Sequence, residues 1–266
     1  MSFFNIIWII IIIFTLVPVI KQRMVEGARY RLIKKLQTTT GRRVIILIHR
    51  QEALSFLGIP FRRYINIEDS EEILRAIRAT DDSQPIDIIV HTPGGLVLAA
   101  EQISHALRKH PSDVRVLVPH YAMSGGTLLA LAADKIIMDQ NAVLGPIDPQ
   151  IDSYPAPSIL KITEQKSIDE ISDKTLILAD VARKALDQVK ELVRSLLEER
   201  TGREKAEEIA DVFTGGYWTH DYPITVEKLK MTGLDVETEL MEEVYQLMKL
   251  YPQSGSRRPS VQYINR

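Results

Sequence analysis

The 266-residue chain contains no cysteine. That absence removes thiol nucleophiles, disulfides and thiolate metal sites together. Neither sign of charge dominates: the formal net charge is −2. Nothing in the overall charge therefore selects nucleic acid or another polyanion as a partner. No G-x-G-x-x-G segment opens a helix after a strand, so no dinucleotide cofactor is expected. Neither a metal nor any other cofactor is expected. Six histidines are available, so composition does not exclude an imidazole base.

The first twenty residues are a different material from the rest. Phe3 to Ile20 is apolar apart from Asn5, Thr15 and Pro18, with five isoleucines at Ile9–Ile13. About 18 to 20 such residues cross a bilayer core as a helix. A cleaved signal peptide is the alternative, but it needs positive charge before the run and small residues after it. Here the charge follows: Lys21, Arg23, Arg29, Arg31, Lys34 and Lys35. By the positive-inside rule that flank stays in the cytoplasm. The expectation is a single-pass membrane protein with its N-terminus out and its soluble domain cytoplasmic. Residues 1–20 are the transmembrane anchor and 21–41 a basic juxtamembrane helix. Residues 42–250 are the folded domain, and 251–266 a disordered tail. The juxtamembrane helix either lies on anionic headgroups or is a solvated linker.

Beyond Gly41, strand-like and helix-like runs alternate at short intervals. Arg43–His49, Pro85–Val90, Val114–Pro119 and Lys135–Met138 are apolar runs of strand length. Between them, Asp69 or Ser70 opens one helix, Leu96–Lys109 forms a second, and Thr127–Ala133 is small and apolar throughout. This alternation predicts an α/β fold with a mostly parallel sheet and helical crossovers. Ile151–Lys174, with Pro155 and Pro157, reads as a surface loop or lid. Thr175–Arg200 is a long helix with Leu178, Val181, Ala182, Ala185, Val189, Leu192, Val193 and Leu196 at helical spacing.

Two glycine turns stand at the carboxyl ends of strands, where sites lie in such sheets. The first is His91-Thr-Pro-Gly-Gly95, and the second is Met123-Ser-Gly-Gly-Thr127. A Ser-Gly-Gly corner alone is explained by a tight turn. With a Pro-Gly-Gly turn one strand earlier, backbone N–H groups of Gly94 or Gly95 and of Gly125 can converge on one oxyanion beside Ser124. A serine nucleophile needs a base. His91, His120 and His220 lie at turns, so a Ser-His-Asp triad is open. A desolvated lysine is the other choice, from Lys161, Lys166, Lys174 or Lys184. Lys184 borders the apolar face through Val181 and Ala185; the plain alternative is a lysine whose stem lies along a core edge.

Four segments in order resemble the serine dehydrogenase proteinase family: Asp87–Gly95, Ala122–Thr127, Leu144–Gln150 and Thr219–Thr225. That family shares the ClpP/crotonase-like fold with signal peptide peptidase A and the NfeD-type membrane proteases. The resemblance covers about residues 40 to 250. It implies a serine peptidase with Ser124 as nucleophile and Gly95 and Gly125 at the oxyanion positions. Clp proteases carry a catalytic histidine in the loop that matches Gly145–Gln150; here the loop has Ile147-Asp148-Pro149. That departure points to the Ser-Lys dyad of the other relatives, with Lys184 the first choice of base and Lys174 the second. Asp221 matches the region of the Clp aspartate and, with His91, Asp148 and His220, is assigned a supporting role.

The resulting expectation is a membrane-anchored serine endopeptidase. It would act on peptides or proteins, membrane proteins among them, and assemble as a homo-oligomer of three or more. A non-catalytic scaffold and a crotonase-like acyl-CoA enzyme are the alternatives on the same fold.

Overall fold

The computed structural model describes residues 3–49, 54–56, 59–61 and 64–251, without the side chains of 3–14, 54–56 and 59–61. The chain begins with α1 (Phe3–Thr40), β1 (Arg43–Ile48) and a hairpin of β2 (Leu54–Phe56) and β3 (Ile59–Phe61). There follow α2 (Ile67–Arg78), β4 (Ile86–His91), α3 (Val97–Arg108), β5 (Val114–Val118), β6 (Tyr121–Ala122), α4 (Gly125–Ala132) and β7 (Lys135–Met138). Next come β8 (Val143–Leu144), β9 (Gln150–Ile151), β10 (Tyr154–Pro155), α5 (Ala156–Gln165) and α6 (Asp173–Thr201). The chain continues through α7 (Arg203–Thr214), β11 (Ile224–Thr225), α8 (Val226–Met231), β12 (Val236–Glu237) and α9 (Glu242–Lys249).

Strands β1, β4, β5, β7 and β12 form one parallel sheet in the order β1-β4-β5-β7-β12. Their side chains alternate between two cores, as a period of two requires. Ile45, Leu47, Ile88, Val90, Val116 and Val118 face the core shared with α2, α3, α4, α6 and α7. Val44, Ile89, Leu117 and Ile137 face the other side, where Leu36 of α1 and Val244 and Leu247 of α9 cover them. Every residue of β4 and of α4 is buried. This is the α/β architecture with a mostly parallel sheet that the alternation predicts.

A second, three-stranded sheet has the order β11-β8-β6. β6 runs parallel to β8, and β11 antiparallel to it. This small sheet carries the candidate site.

Two elements differ from the sequence reading. Helix α1 is continuous to Thr40, and its last turns belong to the domain. Leu32, Ile33 and Leu36 pack on the sheet, and the Arg29 guanidinium donates to Leu250 O and sits over the Tyr251 ring. From Arg29 onward the helix therefore belongs to the folded domain. Ile151–Lys174 is not an irregular loop but a β9–β10 hairpin, α5 and a 3-10 turn at Ile168–Glu170. Pro155 and Pro157 do not break α5, because they stand at its very start, where a missing N–H costs nothing. Among the described residues no helix is long and apolar enough to cross a membrane. The Ile9–Ile13 run lies outside the described side chains. The expected disordered tail lies, from residue 252 onward, outside the described residues altogether.

The sheet is fastened at its amino edge by buried charge. Asp87 is 3% exposed and receives Arg42 Nε at 2.5 Å and Arg115 Nε and Nη2 at 2.7 Å each. The hydrogen bond that Arg115 donates to Asp87 raises the pKa of Arg115 above its ordinary value, against the opposing effect of burial. Arg42 also donates to Ile86 O and Asp113 O, which ties the end of α1 to β4. Removing one partner of such a cluster strands the others' charge. Asp87→Asn is expected to cost about 3–5 kcal/mol in urea denaturation. A loss below about 1 kcal/mol would show the cluster to be dispensable.

Candidate active site

Ser124 stands between β6 and α4 with φ 49° and ψ −114°. A side chain at such a φ costs about 1–3 kcal/mol, which glycine would avoid. Its hydroxyl does not turn back to cap α4, and no side chain bonds to it among the described residues. The strained corner presents a half-buried hydroxyl at the strand-to-helix turn.

The first glycine turn lies directly against this corner. A Cβ on Gly94, which has φ +104°, would sit 2.8 Å from Ser124 Cβ. A Cβ on Gly95 would lie 2.2 Å from Ile65 O, and one on Gly125 would lie 3.6 Å from Gly95 N. The two turns therefore touch, and only glycine permits it. The N–H of Gly94 is already used, donating to Thr92 Oγ1 at 3.2 Å. That corrects its assignment as an oxyanion donor. Among the described residues, the N–H groups of Gly95 and Gly125 have no internal acceptor. Together they form a two-donor cradle next to Ser124, with the positive end of α4 behind it. Gly95→Ala is expected to lower turnover by at least ~100-fold, because the turn must move off Ile65 and carry its donor away. Near-normal turnover in that variant would show that Gly95 is not a donor.

The small sheet brings two further groups to the same edge. Ser124 follows β6 by two residues and Asp148 follows β8 by four; β6 and β8 are in parallel register, with Ala122 opposite Leu144. The Thr127 hydroxyl fastens Gly145 to α4, accepting its N–H at 3.1 Å and donating to its carbonyl at 2.8 Å. On the other side of β8, β11 pairs Ile224 with Leu144 in antiparallel register. That register returns the chain so that His220 meets Asp148, Nδ1 to Oδ1 at 2.8 Å.

Asp148 is 1% exposed. A carboxylate in such a place needs partners for its charge. Oδ1 has His220, and Oδ2 accepts Gln150 Nε2 at 2.7 Å. With Nδ1–H donated to the carboxylate, Nε2 of His220 carries the free lone pair. The turn that holds His220 is closed by Tyr222 N to Thr219 O at 2.9 Å and braced by stacked Trp218 and Tyr222 rings.

The structure sets Gly95 and Gly125 beside Ser124, pairs His220 with Asp148 on the small sheet that leads into Ser124, and holds Lys174 and Lys184 in exposed ion pairs. Lys184 bonds Asp180 at 2.5 Å with its side chain 68% exposed. Lys174 pairs with Asp152 at 3.5 Å, 77% exposed. Neither is the desolvated amine that the dyad reading requires. The physical reason lies in the helix face: Val181, part of the apolar stripe by spacing, is itself 42% exposed, as is Ile177 at 65%. Lys184 continues that outward face. Asp221 is exposed, and the carboxylate on His220 is Asp148 instead. His91 is buried, with its ring packed against Tyr121 and near His120. Sequence reading assigns no role to Thr92 or Gln150, which hold the oxyanion turn and the acid.

Comparison with known proteins identifies the family and the fold. The family model of the ClpP-like SDH-type serine proteinases matches residues 1–266. Protein MJ0137 of Methanocaldococcus jannaschii is 55% identical over 257 residues, covering 97% of this chain and 90% of its own. Protein MJ1495 of the same organism is 57% identical over 236 residues, covering 89% and 80%. Among solved structures, a ClpP1 mutant from Listeria monocytogenes superimposes with a TM-score of 0.50. That likeness covers 80% of this chain and 99% of the other at 18% identity, and it speaks for the fold alone. The chain belongs to the ClpP-like SDH-type serine proteinases.

Proposed function

We propose that the protein is a membrane-anchored serine endopeptidase in which His220, oriented by Asp148, activates Ser124. The observation that carries this reading is the 2.8 Å pair of His220 with the buried Asp148 carboxylate, on the small sheet that also leads into Ser124. Ser124 Oγ attacks the scissile carbonyl carbon while its proton passes to His220 Nε2. The carbonyl oxygen takes up negative charge and is held by the N–H groups of Gly95 and Gly125. As the C–N bond breaks, His220 returns the proton to the leaving amine. Water then releases the acyl group from Ser124 by the same steps. The serine–histidine hydrogen bond closes when substrate binds, as in many free enzymes.

The strained backbone supports the same reading. A scaffold or a purely oxyanion-holding acyl-CoA enzyme would be better served by glycine at position 124. Serine there makes sense when the hydroxyl is needed.

In this proposal Phe3 to Ile20 is the bilayer anchor, the N-terminus is outside, and the catalytic domain lies in the cytoplasm. The substrate is a peptide or protein, and the working form is a homo-oligomer. Labelling the full-length protein with a fluorophosphonate, followed by peptide mass mapping, tests the chemistry. The adduct is expected on Ser124, and an adduct elsewhere or none at all would remove the assignment. Protease added to intact cells is expected to spare a C-terminal tag; digestion of the tag would reverse the topology.

A further inference from the structure

The oxyanion turn is held by a chain of side chains, with His49 and Thr92 buried, that take no part in the reaction described above. His49 ends β1 and is 6% exposed. Its Nε2 lies 3.2 Å from Asp69 Oδ2, and its Nδ1 lies 3.0 Å from Thr92 Oγ1. Asp69 is itself fixed by the capping box of α2: its Oδ2 accepts the Asn66 N–H at 3.0 Å, and its own N–H goes to Asn66 Oδ1 at 2.8 Å. Thr92 is wholly buried and touches both glycine turns. Its Oγ1 accepts the Gly94 N–H at 3.2 Å, and its carbonyl accepts the Met123 N–H at 2.9 Å. Its methyl lies where a Cβ on Gly126 would fall, at 2.6 Å.

The donor directions in this chain follow from the tautomer of His49 that Asp69 selects. An ionised Asp69 only accepts, so a neutral His49 carries its hydrogen on Nε2. Nδ1 is then an acceptor, and the Thr92 hydroxyl donates to it. The lone pairs of Thr92 Oγ1 are thereby left for Gly94. The alternative acceptor for that hydroxyl, Gly94 O, is longer at 3.4 Å.

The consequence falls on the two peptide planes that meet at the Gly94 Cα. Gly94 is tied through its N–H to Thr92 and through its carbonyl to the Ile65 N–H at 2.8 Å. In a trans peptide the following N–H points opposite to the carbonyl. Gly95 N–H is therefore directed away from Ile65, toward Gly125 and Ser124. We infer that His49 and Thr92 are positioning residues that set the tilt of the Gly94–Gly95 peptide and so aim the oxyanion donor. This inference rests on the peptidase reading above.

The test uses the full-length protein, with active sites counted by complete fluorophosphonate labelling and turnover read on a p-nitrophenyl ester. Thr92→Val keeps the shape of the side chain and removes the hydroxyl. It is expected to lower kcat per labelled site by about 30-fold with KM within about twofold, since a misaimed donor weakens only the transition state. Thr92→Ser restores the hydroxyl and is expected to stay within about threefold of wild type. His49→Ala should lower kcat in the same sense as Thr92→Val. Unchanged kcat per labelled site in Thr92→Val would overturn the inference, and so would a loss confined to the fraction of sites that label. A wild type that neither labels nor hydrolyses the ester would instead remove the peptidase reading, and this inference with it.

Discussion

Ser124→Ala is expected to lower turnover by about a millionfold, leaving only what the oxyanion donors and binding supply. The loss should appear in kcat, with little change in the affinity for an uncleaved peptide. The same position allows a sharper test through stability. Ser124 holds φ 49°, a conformation that a side chain disfavours. Ser124→Gly should abolish activity equally and stabilise the fold by about 1 kcal/mol, the relieved strain exceeding the added chain entropy of glycine. Activity and stability moving in opposite directions is the mark of a strained catalytic residue. If Ser124→Gly instead destabilises the protein by more than about 1 kcal/mol, the strain is not stored where the backbone indicates.

The second large effect belongs to the acid–base pair. His220→Ala removes the base and is expected to lower kcat by about 10⁴-fold or more. Asp148→Asn leaves the packing nearly unchanged but replaces an acceptor oxygen with an amide. The His220 ring then loses the partner that fixes its tautomer, and kcat is expected to fall by about 10³- to 10⁴-fold. Asp221→Asn should change kcat by less than about twofold, because the Asp221 carboxylate is exposed and does not hold His220. A large loss in Asp221→Asn beside a small one in Asp148→Asn would exchange their roles. All three are read as steady-state hydrolysis of one peptide substrate.

Much of this is legible in the sequence, for identifiable reasons. The four main strands show as apolar runs of strand length, and α4 as a run of small apolar residues. The two glycine turns stand out because backbone contact this close tolerates no other residue. The acid and base are harder. They lie 72 residues apart and meet only through the register of β11 against β8. The missing histidine in Gly145–Gln150 reads as a missing base. In the proposed site that loop supplies the acid, and the Thr219–Thr225 turn, where the resemblance places an aspartate, supplies the histidine. The only local hint is an aspartate set between Ile147 and Pro149 in an apolar loop. Helical periodicity also misleads. Val181 fits the stripe of α6 by spacing, yet the packing surface at that end of the helix is made by Ala179 and Ala182 against α5. Lys184 consequently faces solvent. The use of the Gly94 N–H by Thr92 depends on a side-chain rotamer, which no pattern of residue types reveals.

The most direct test of the central claim is the rate of fluorophosphonate acylation in three proteins at one pH. The reagent needs only the nucleophile, its base and the oxyanion donors, so no knowledge of the natural substrate enters. With His220 as the base, His220→Ala should react at least ~100-fold more slowly than wild type. Lys184→Ala, with its amine exposed and paired to Asp180, should react at the wild-type rate. Slow labelling of Lys184→Ala beside normal labelling of His220→Ala would contradict the account and return the site to a serine–lysine dyad.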